Sequence, residues 1–140
     1  MPPVLGPSCF RVAVQALVVL AHSDCACPSV AIAQDLNTHA VVLRRIMAQL
    51  VRCKIVEARE GRDGGYRLAR PADQITLAEI YQAFRGDRSP DASAANGYAG
   101  IHAALDSIRD EAEQRILEVF AQHSLAAIIE RSAGAATPAQ

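Results

Sequence analysis

With 140 residues, 51% of them hydrophobic, the chain suits one globular domain plus an accessory element. Its 4% aromatic content, without tryptophan, calls for an aliphatic core. A net charge of −1 excludes a uniformly basic or acidic protein, so a surface for a polyanion has to come from sorting charge along the chain.

Val12 to Ala21 is nearly all apolar and follows Arg11. Gln15 interrupts the run, and no small-x-small cleavage pattern follows it. His22-Ser23-Asp24 precedes Cys25, where a lipoprotein site needs small or aliphatic residues. The run is shorter than the about 20 apolar residues that span a bilayer. It is read as a buried first helix, which predicts a cytoplasmic protein with no membrane partner. Its four cysteines, Cys9, Cys25, Cys27 and Cys53, are then expected as reduced thiols.

Ser23, Asp24 and Pro28 break the helical pattern into a loop. Ser29 is expected to cap a short second helix that ends near Leu36 and turns Ile32, Ala33 and Leu36 inward. Asn37-Thr38 makes a brief turn and supplies the cap of a third helix. There Leu43, Ile46, Met47 and Leu50 share an apolar face. At about 100° per residue, Val41, Arg45, Ala48 and Arg52 fall opposite, with Arg44 and Gln49 on the flanks. Cys53, at the end of this helix, reads as a small buried hydrophobe. Ile55 to Ala58, a turn over Gly61 to Gly65, and Tyr66 to Ala69 form a hairpin ended by Pro71. Two short helices followed by a hairpin make a winged helix-turn-helix. Residues 37–71 carry eight basic side chains (Arg44, Arg45, Arg52, Lys54, Arg59, Arg62, Arg67, Arg70) against three acidic ones (Glu57, Glu60, Asp63). Positive charge gathered on one helix and one hairpin suits a polyanionic partner.

Thr76 and Glu79 are placed for a capping box, and Ile75 and Ile80 for a hydrophobic staple, so a helix starts here and ends near Phe84. Residues 85–99, rich in Asp, Ser, Pro, Ala and Gly, read as a linker. A helix over residues 100–122, roughly 35 Å long, carries a stripe of Ile101, Leu105, Ile108, Ala112, Ile116 and Val119, the expected homodimer interface. Arg109/Glu113 and Glu111/Arg115 are expected i, i+4 pairs on its wet side. Ser124 caps a closing helix to Arg131, and residues 132–140 read as a disordered tail. The fold class is thus mainly α with a small β-hairpin. Residues 1–84 form the winged domain, and 100–131 form the dimerisation helix and closing helix.

The runs LRRIMAQLVRCKIV, GRDGGYRLARP and ITLAEIYQAF resemble the BadM/Rrf-type family of bacterial winged-helix transcriptional regulators over most of the chain. The resemblance implies a homodimer whose third helix enters the major groove of double-stranded DNA and whose glycine-rich wing enters the minor groove. Together with the helix geometry, it points to Thr38, His39, Val41, Arg44, Arg45 and Gln49 on the helix side. On the wing it points to Arg59, Arg62, Gly64 and Gly65. The chain departs from the family in three places. Cluster-binding members carry three cysteines in the linker, and residues 85–100 contain none. In the wing, Asp63 stands for a third glycine and Glu60 for an arginine. At the start of the third helix, Asn37 and His39 stand where Gly-x-Ser is common. No cofactor and no metal are therefore expected.

Other chemistry is weaker. Gly61 to Gly65 lacks the Lys-Ser/Thr of a P-loop and lies between strands. His22, Asp24, Cys25 and Cys27 make a small ligand-type cluster on one loop, short of a structural zinc pattern. Cys25 and Cys27 are candidates for a thiol switch. No nucleophile–base pairing suggests an enzyme. The expected function is a homodimeric, sequence-specific transcriptional regulator, a repressor, answering an unidentified small-molecule, redox or protein effector. The alternative is a protein-interaction module on a winged-helix scaffold.

Overall fold

The computed structural model describes residues 7–85 and 97–135. Helix α1 (Pro7–Ala21) buries Ala13, Ala16, Leu17 and Leu20, one stripe at i, i+3, i+4 and i+7, and packs on α3, α4, α6 and β2. It begins well before the apolar run that signalled it. It ends where the His22 ring meets the Val18 carbonyl at 2.8 Å and Ser23 Oγ donates to Val19 O at 3.0 Å.

Helix α2 (Ser29–Asp35) buries Ile32 and Ala33. The expected Ser29 cap is corrected: Pro28, at φ −65° and ψ 148°, holds the cap position, and no side chain caps the helix. Proline's fixed φ sets the entry direction. Asn37 turns the chain with φ 52°, a left-handed conformation that asparagine tolerates. Helix α3 (Ala40–Arg52) is capped in position by His39, one residue later than the expected Asn37 or Thr38, again without a side-chain bond. The Thr38 N–H instead bonds Ala33 O at 2.9 Å and closes the turn. The four predicted inward residues, Leu43, Ile46, Met47 and Leu50, are buried.

Cys53 is exposed, not buried. It lies at the C-cap of α3 and Lys54 follows with φ 61°, so the chain swings round and Ile55 and Val56 enter the core in its place. Strands β1 (Val56–Arg59) and β2 (Gly65–Leu68) pair antiparallel with Val56 opposite Leu68 and Arg59 opposite Gly65. A 3₁₀ turn (Ala72–Gln74) leads to α4 (Leu77–Ala83), where the Thr76–Glu79 capping box is formed and Ile75 and Ile80 are fully buried.

Helix α5 (Ala99–Ala121) packs on α4, and α6 (Leu125–Ala135) packs on α1 and the 3₁₀ turn. The Ser124 hydroxyl accepts from the Ala127 N–H at 3.1 Å, the expected cap. The closing helix runs past Arg131 through residues expected in the tail, because Ala133 and Ala135 favour helix. Two backbone bonds, Leu77 N to His123 O at 2.9 Å and Leu125 N to Ile75 O at 2.8 Å, tie the start of α4 to the start of α6. Phe10, Tyr81 and Phe120 form an aromatic trio with centroids 5.4 to 5.9 Å apart, joining α1, α4 and α5. Glu113, expected beside Arg109 on the wet side, is half-buried and reaches Arg85 at 2.8 Å. Arg115 and Glu111 stand 4.0 Å apart as predicted. Most of the linker read over residues 85–99, together with residues 1–6 and 136–140, lies outside the described residues.

Candidate nucleic-acid interface

Burial of one face of α3 fixes the direction of the other. Val41, Arg45, Ala48 and Arg52 are all exposed along the outward line, Val41 at 58%. Arg44, on the flank, is exposed, and its Nε donates to Ala40 O at 3.4 Å, which holds the guanidinium along the helix. Gln49, expected on the other flank and among the DNA-contacting residues, is half-buried. Its amide donates to Ala83 O at 3.3 Å and satisfies a carbonyl at the end of α4. That makes it a fastening between helices. His39 is exposed at the mouth of the helix and Thr38 is half-buried beneath it.

On the wing, Arg59 and Arg62 are exposed at the end of β1 and in the tip. Glu60 and Asp63 stand exposed beside them. The two glycines serve the backbone. A Cβ on Gly64 would come within 2.6 Å of Arg59 O and 2.8 Å of Gly61 O. Gly65 has φ +142°, and a Cβ there would lie 2.3 Å from the Cys27 carbonyl. That approach belongs to a short bridge in which Cys27 N donates to Tyr66 O at 2.9 Å and Tyr66 N donates to Cys27 O at 2.8 Å. The loop before α2 is thus stitched to the base of the wing.

Arg67 is paired with Glu57 across the hairpin at 3.0 Å, and Arg70 with Glu79 at 2.8 Å. Among the described residues, Arg44, Arg45, Arg52, Lys54, Arg59 and Arg62 remain without an acidic partner. Of these, Arg52 and Lys54 contribute to the charge of the segment without being expected contacts. Lys54 and Arg59 line an open groove of about 590 Å³ between the end of α3 and the wing. The left-handed φ of Lys54, which places it there, is a signal that sequence alone does not carry. The arrangement presents unpaired guanidinium and ammonium groups on the exposed face of α3 and on the hairpin, suited to phosphates and to base-edge acceptors.

Two further candidate surfaces lie elsewhere. On α5, Ile101, Leu105, Ile108, Ile116 and Val119 are exposed at 37% to 63%, Ala112 is exposed with them, and no residue of the helix is buried. In the loop after α1, Cys25 is exposed and Cys27 half-buried, with Cys27 Sγ 3.7 Å from Cys25 O. His22, expected with them in a ligand-type cluster, turns back to the α1 carbonyl.

A family model, "Rrf2: Iron-dependent Transcriptional regulator", matches residues 7–131. The HTH-type transcriptional regulator YwgB of Bacillus subtilis (strain 168) is 28% identical over 114 residues, 74% of this chain and 69% of that protein. Among solved structures, IscR of T. potens superposes with a TM-score of 0.72 at 22% identity, covering 96% of this chain and 93% of its own. CymR (YrzC), the global cysteine regulator of B. subtilis, gives 0.65 at 23% identity over 90% and 96%. The iron in the family description finds no fit among the described residues, where no three His, Cys, Asp or Glu side chains could together hold a metal ion. The segment between α4 and α5 contains neither cysteine nor histidine.

Proposed function

The chain belongs to the Rrf2 family and is a DNA-binding transcriptional regulator, and on that premise we propose that it is a cytoplasmic homodimeric repressor reading a two-fold operator. The observation that carries the reading is the exposed line Val41, Arg45, Ala48, Arg52 on α3 beside the cations of the wing. In it, α3 enters the major groove, with Arg45 directed at base edges and Arg44 at phosphate. The wing follows the backbone, and Arg62 reaches towards a minor groove, whose narrow A·T-rich stretches attract arginine. Two copies meet through α5, because a symmetric operator needs a two-fold protein.

The test is selection of bound duplexes from a random pool, followed by titrations of the enriched and a scrambled site at several salt concentrations. The expected result is a palindromic enriched sequence, with affinity for both duplexes falling as salt rises. A protein that enriches nothing and ignores salt is a protein-interaction module, and the DNA-reading assignment of α3 fails with it. Among the described residues no helix is long and apolar enough to cross a membrane.

For the signal, the loop bridge supports a redox input. Hydrogen peroxide would take two electrons from the exposed Cys25 thiol, transferring one oxygen to make a sulfenic acid and leaving with the thiol proton as water. Because Cys27 bonds Tyr66 and abuts Gly65, strain in this loop reaches the wing. A Cys25→Ser/Cys27→Ser variant should bind DNA with and without peroxide alike, while the parent weakens. Equal response in both excludes these thiols.

A further inference from the structure

The outward line of α3 alternates two kinds of chemistry, and electrostatics uses only one of them. Arg45 and Arg52 carry charge, whereas Val41 and Ala48 between and before them present only methyl groups. Val41 is 58% exposed and Val42, next to it, 40%. Neither belongs to the buried core. A β-branched residue also has a lower helix propensity than the polar residues that usually occupy a wet helix face. The fold has no use for the Val41 methyls, and they stand one turn from an unpaired arginine on the side where the positive charge faces out.

We propose that Val41 reads the C5-methyl group of a pyrimidine in the major groove, in thymine and in 5-methylcytosine alike. The inference deepens the DNA-reading assignment of α3 and rests on it. The chemistry follows from the base edges: the thymine methyl is the apolar feature that the major groove displays, and small aliphatic side chains are its complement. The occupant is set by charge, since Arg44 and Arg45 stand one turn from the valine and Arg52 lies farther along the same outward line, which commits this face to a polyanion. Spacing gives a further consequence. Four helical residues rise about 6 Å, close to two base-pair steps at about 3.4 Å each. The methyl read by Val41 should therefore lie about two base pairs from the base that Arg45 meets.

The experiment uses the full chain and the duplex enriched by selection. Each thymine in turn is replaced by deoxyuridine, which pairs identically and lacks only the methyl. One thymine per half-site should respond, weakening Kd by about fourfold, the worth of one buried methyl. Cytosine at that position should be improved by C5-methylation. In Val41→Ser, an exposed change whose folding is checked by circular dichroism, both responses should vanish while the salt dependence stays that of the parent. Indifference to deoxyuridine at every position overturns methyl reading and leaves the DNA interface standing. A response that persists in Val41→Ser assigns the methyl to another residue and overturns it too. Failure to enrich any duplex removes the interface itself.

Discussion

Arg44 and Arg45 are neighbours in sequence, but about 100° of helix rotation gives them different surroundings. Arg45 lies on the outward centre of α3, and Arg44 is held along the flank by its bond to the Ala40 carbonyl. Arg45→Ala should relax preference at one base position per half-site, costing about 1–3 kcal/mol on the matched site and little on a scrambled one. Arg44→Ala should weaken all duplexes alike and flatten the slope of log K against log salt by about 0.9 for each phosphate that is no longer neutralised. Equal losses on both duplexes for Arg45→Ala would place that side chain on phosphate. A second residue-scale prediction concerns Glu79. Burial pushes its carboxyl up, but the Thr76 N–H, the Arg70 guanidinium and the Thr76 hydroxyl together outweigh burial and hold its pKa below the ordinary value. A carboxylate depressed in the folded state contributes stability that is present above its unfolded pKa and is lost as pH falls through the folded one. Arg70→Met removes the guanidinium, so the folded carboxyl titrates nearer its unfolded value: the variant loses stability near neutrality, and the part of the acid-side fall that is linked to Glu79 shrinks. Both side chains are about one-third exposed, so the loss near neutrality should stay within about 1 kcal/mol. Urea titrations between pH 3 and 7 check this; superimposable pH profiles for parent and variant would discharge Arg70 from the role.

At the scale of elements, the wing shows why some of the molecule is legible in its sequence and some is not. Period and caps are local, so the inward face of α3, the Thr76–Glu79 box and the Ser124 cap can be read from spacing alone. Close approach between distant segments is not local. Nothing in the order Gly64-Gly65 reveals that Gly65 faces the Cys27 carbonyl across 38 residues of chain, so its part in joining the wing to that loop is invisible in the sequence. Gln49 escapes sequence reasoning for the same reason: its partner is the Ala83 carbonyl on another helix. Cys53 belongs to a residue type that favours burial, whereas the left-handed Lys54 carries the chain round it and leaves it outside. The close approach at Gly65 predicts that Gly65→Ala combines an unfavourable φ with a backbone collision, costing about 2 kcal/mol or more. Gly61→Ala meets open space, so strain at φ 105° is its sole penalty and it should cost less. Thermal unfolding of the two variants tests the order; a milder effect at Gly65 would mean that the loop moves aside freely.

For the whole molecule, the outstanding feature is a helix of 23 residues with nothing buried. Its inward side, through Glu113 and Phe120, already fastens it to Arg85 and to the aromatic trio. The remaining stripe from Ile101 to Val119 is therefore surplus to the protomer, and Ile101, Leu105 and Ile108 are each more than half exposed. An apolar row of this length in water marks an interface. In the proposed homodimer a second copy would supply a matching row on the same helix, which is the self-complementary arrangement a two-fold axis requires. Leu105→Glu together with Ile108→Glu places two carboxylates where the copies would meet, at a cost of several kcal/mol when they are desolvated without partners. Neither residue supports the protomer core, so circular dichroism and the thermal transition of a dilute sample should change little. Sedimentation at about 10 µM should then shift from dimer to monomer. Affinity for a two-fold duplex should fall by about a hundredfold or more, because the second half-site no longer binds as a tethered partner. Affinity for an isolated half-site should be unchanged. That pair of readings separates the interface from the reading head: a variant that remains dimeric puts the two-fold on another surface, whereas a monomer that loses half-site binding as well shows that α5 also supports α3.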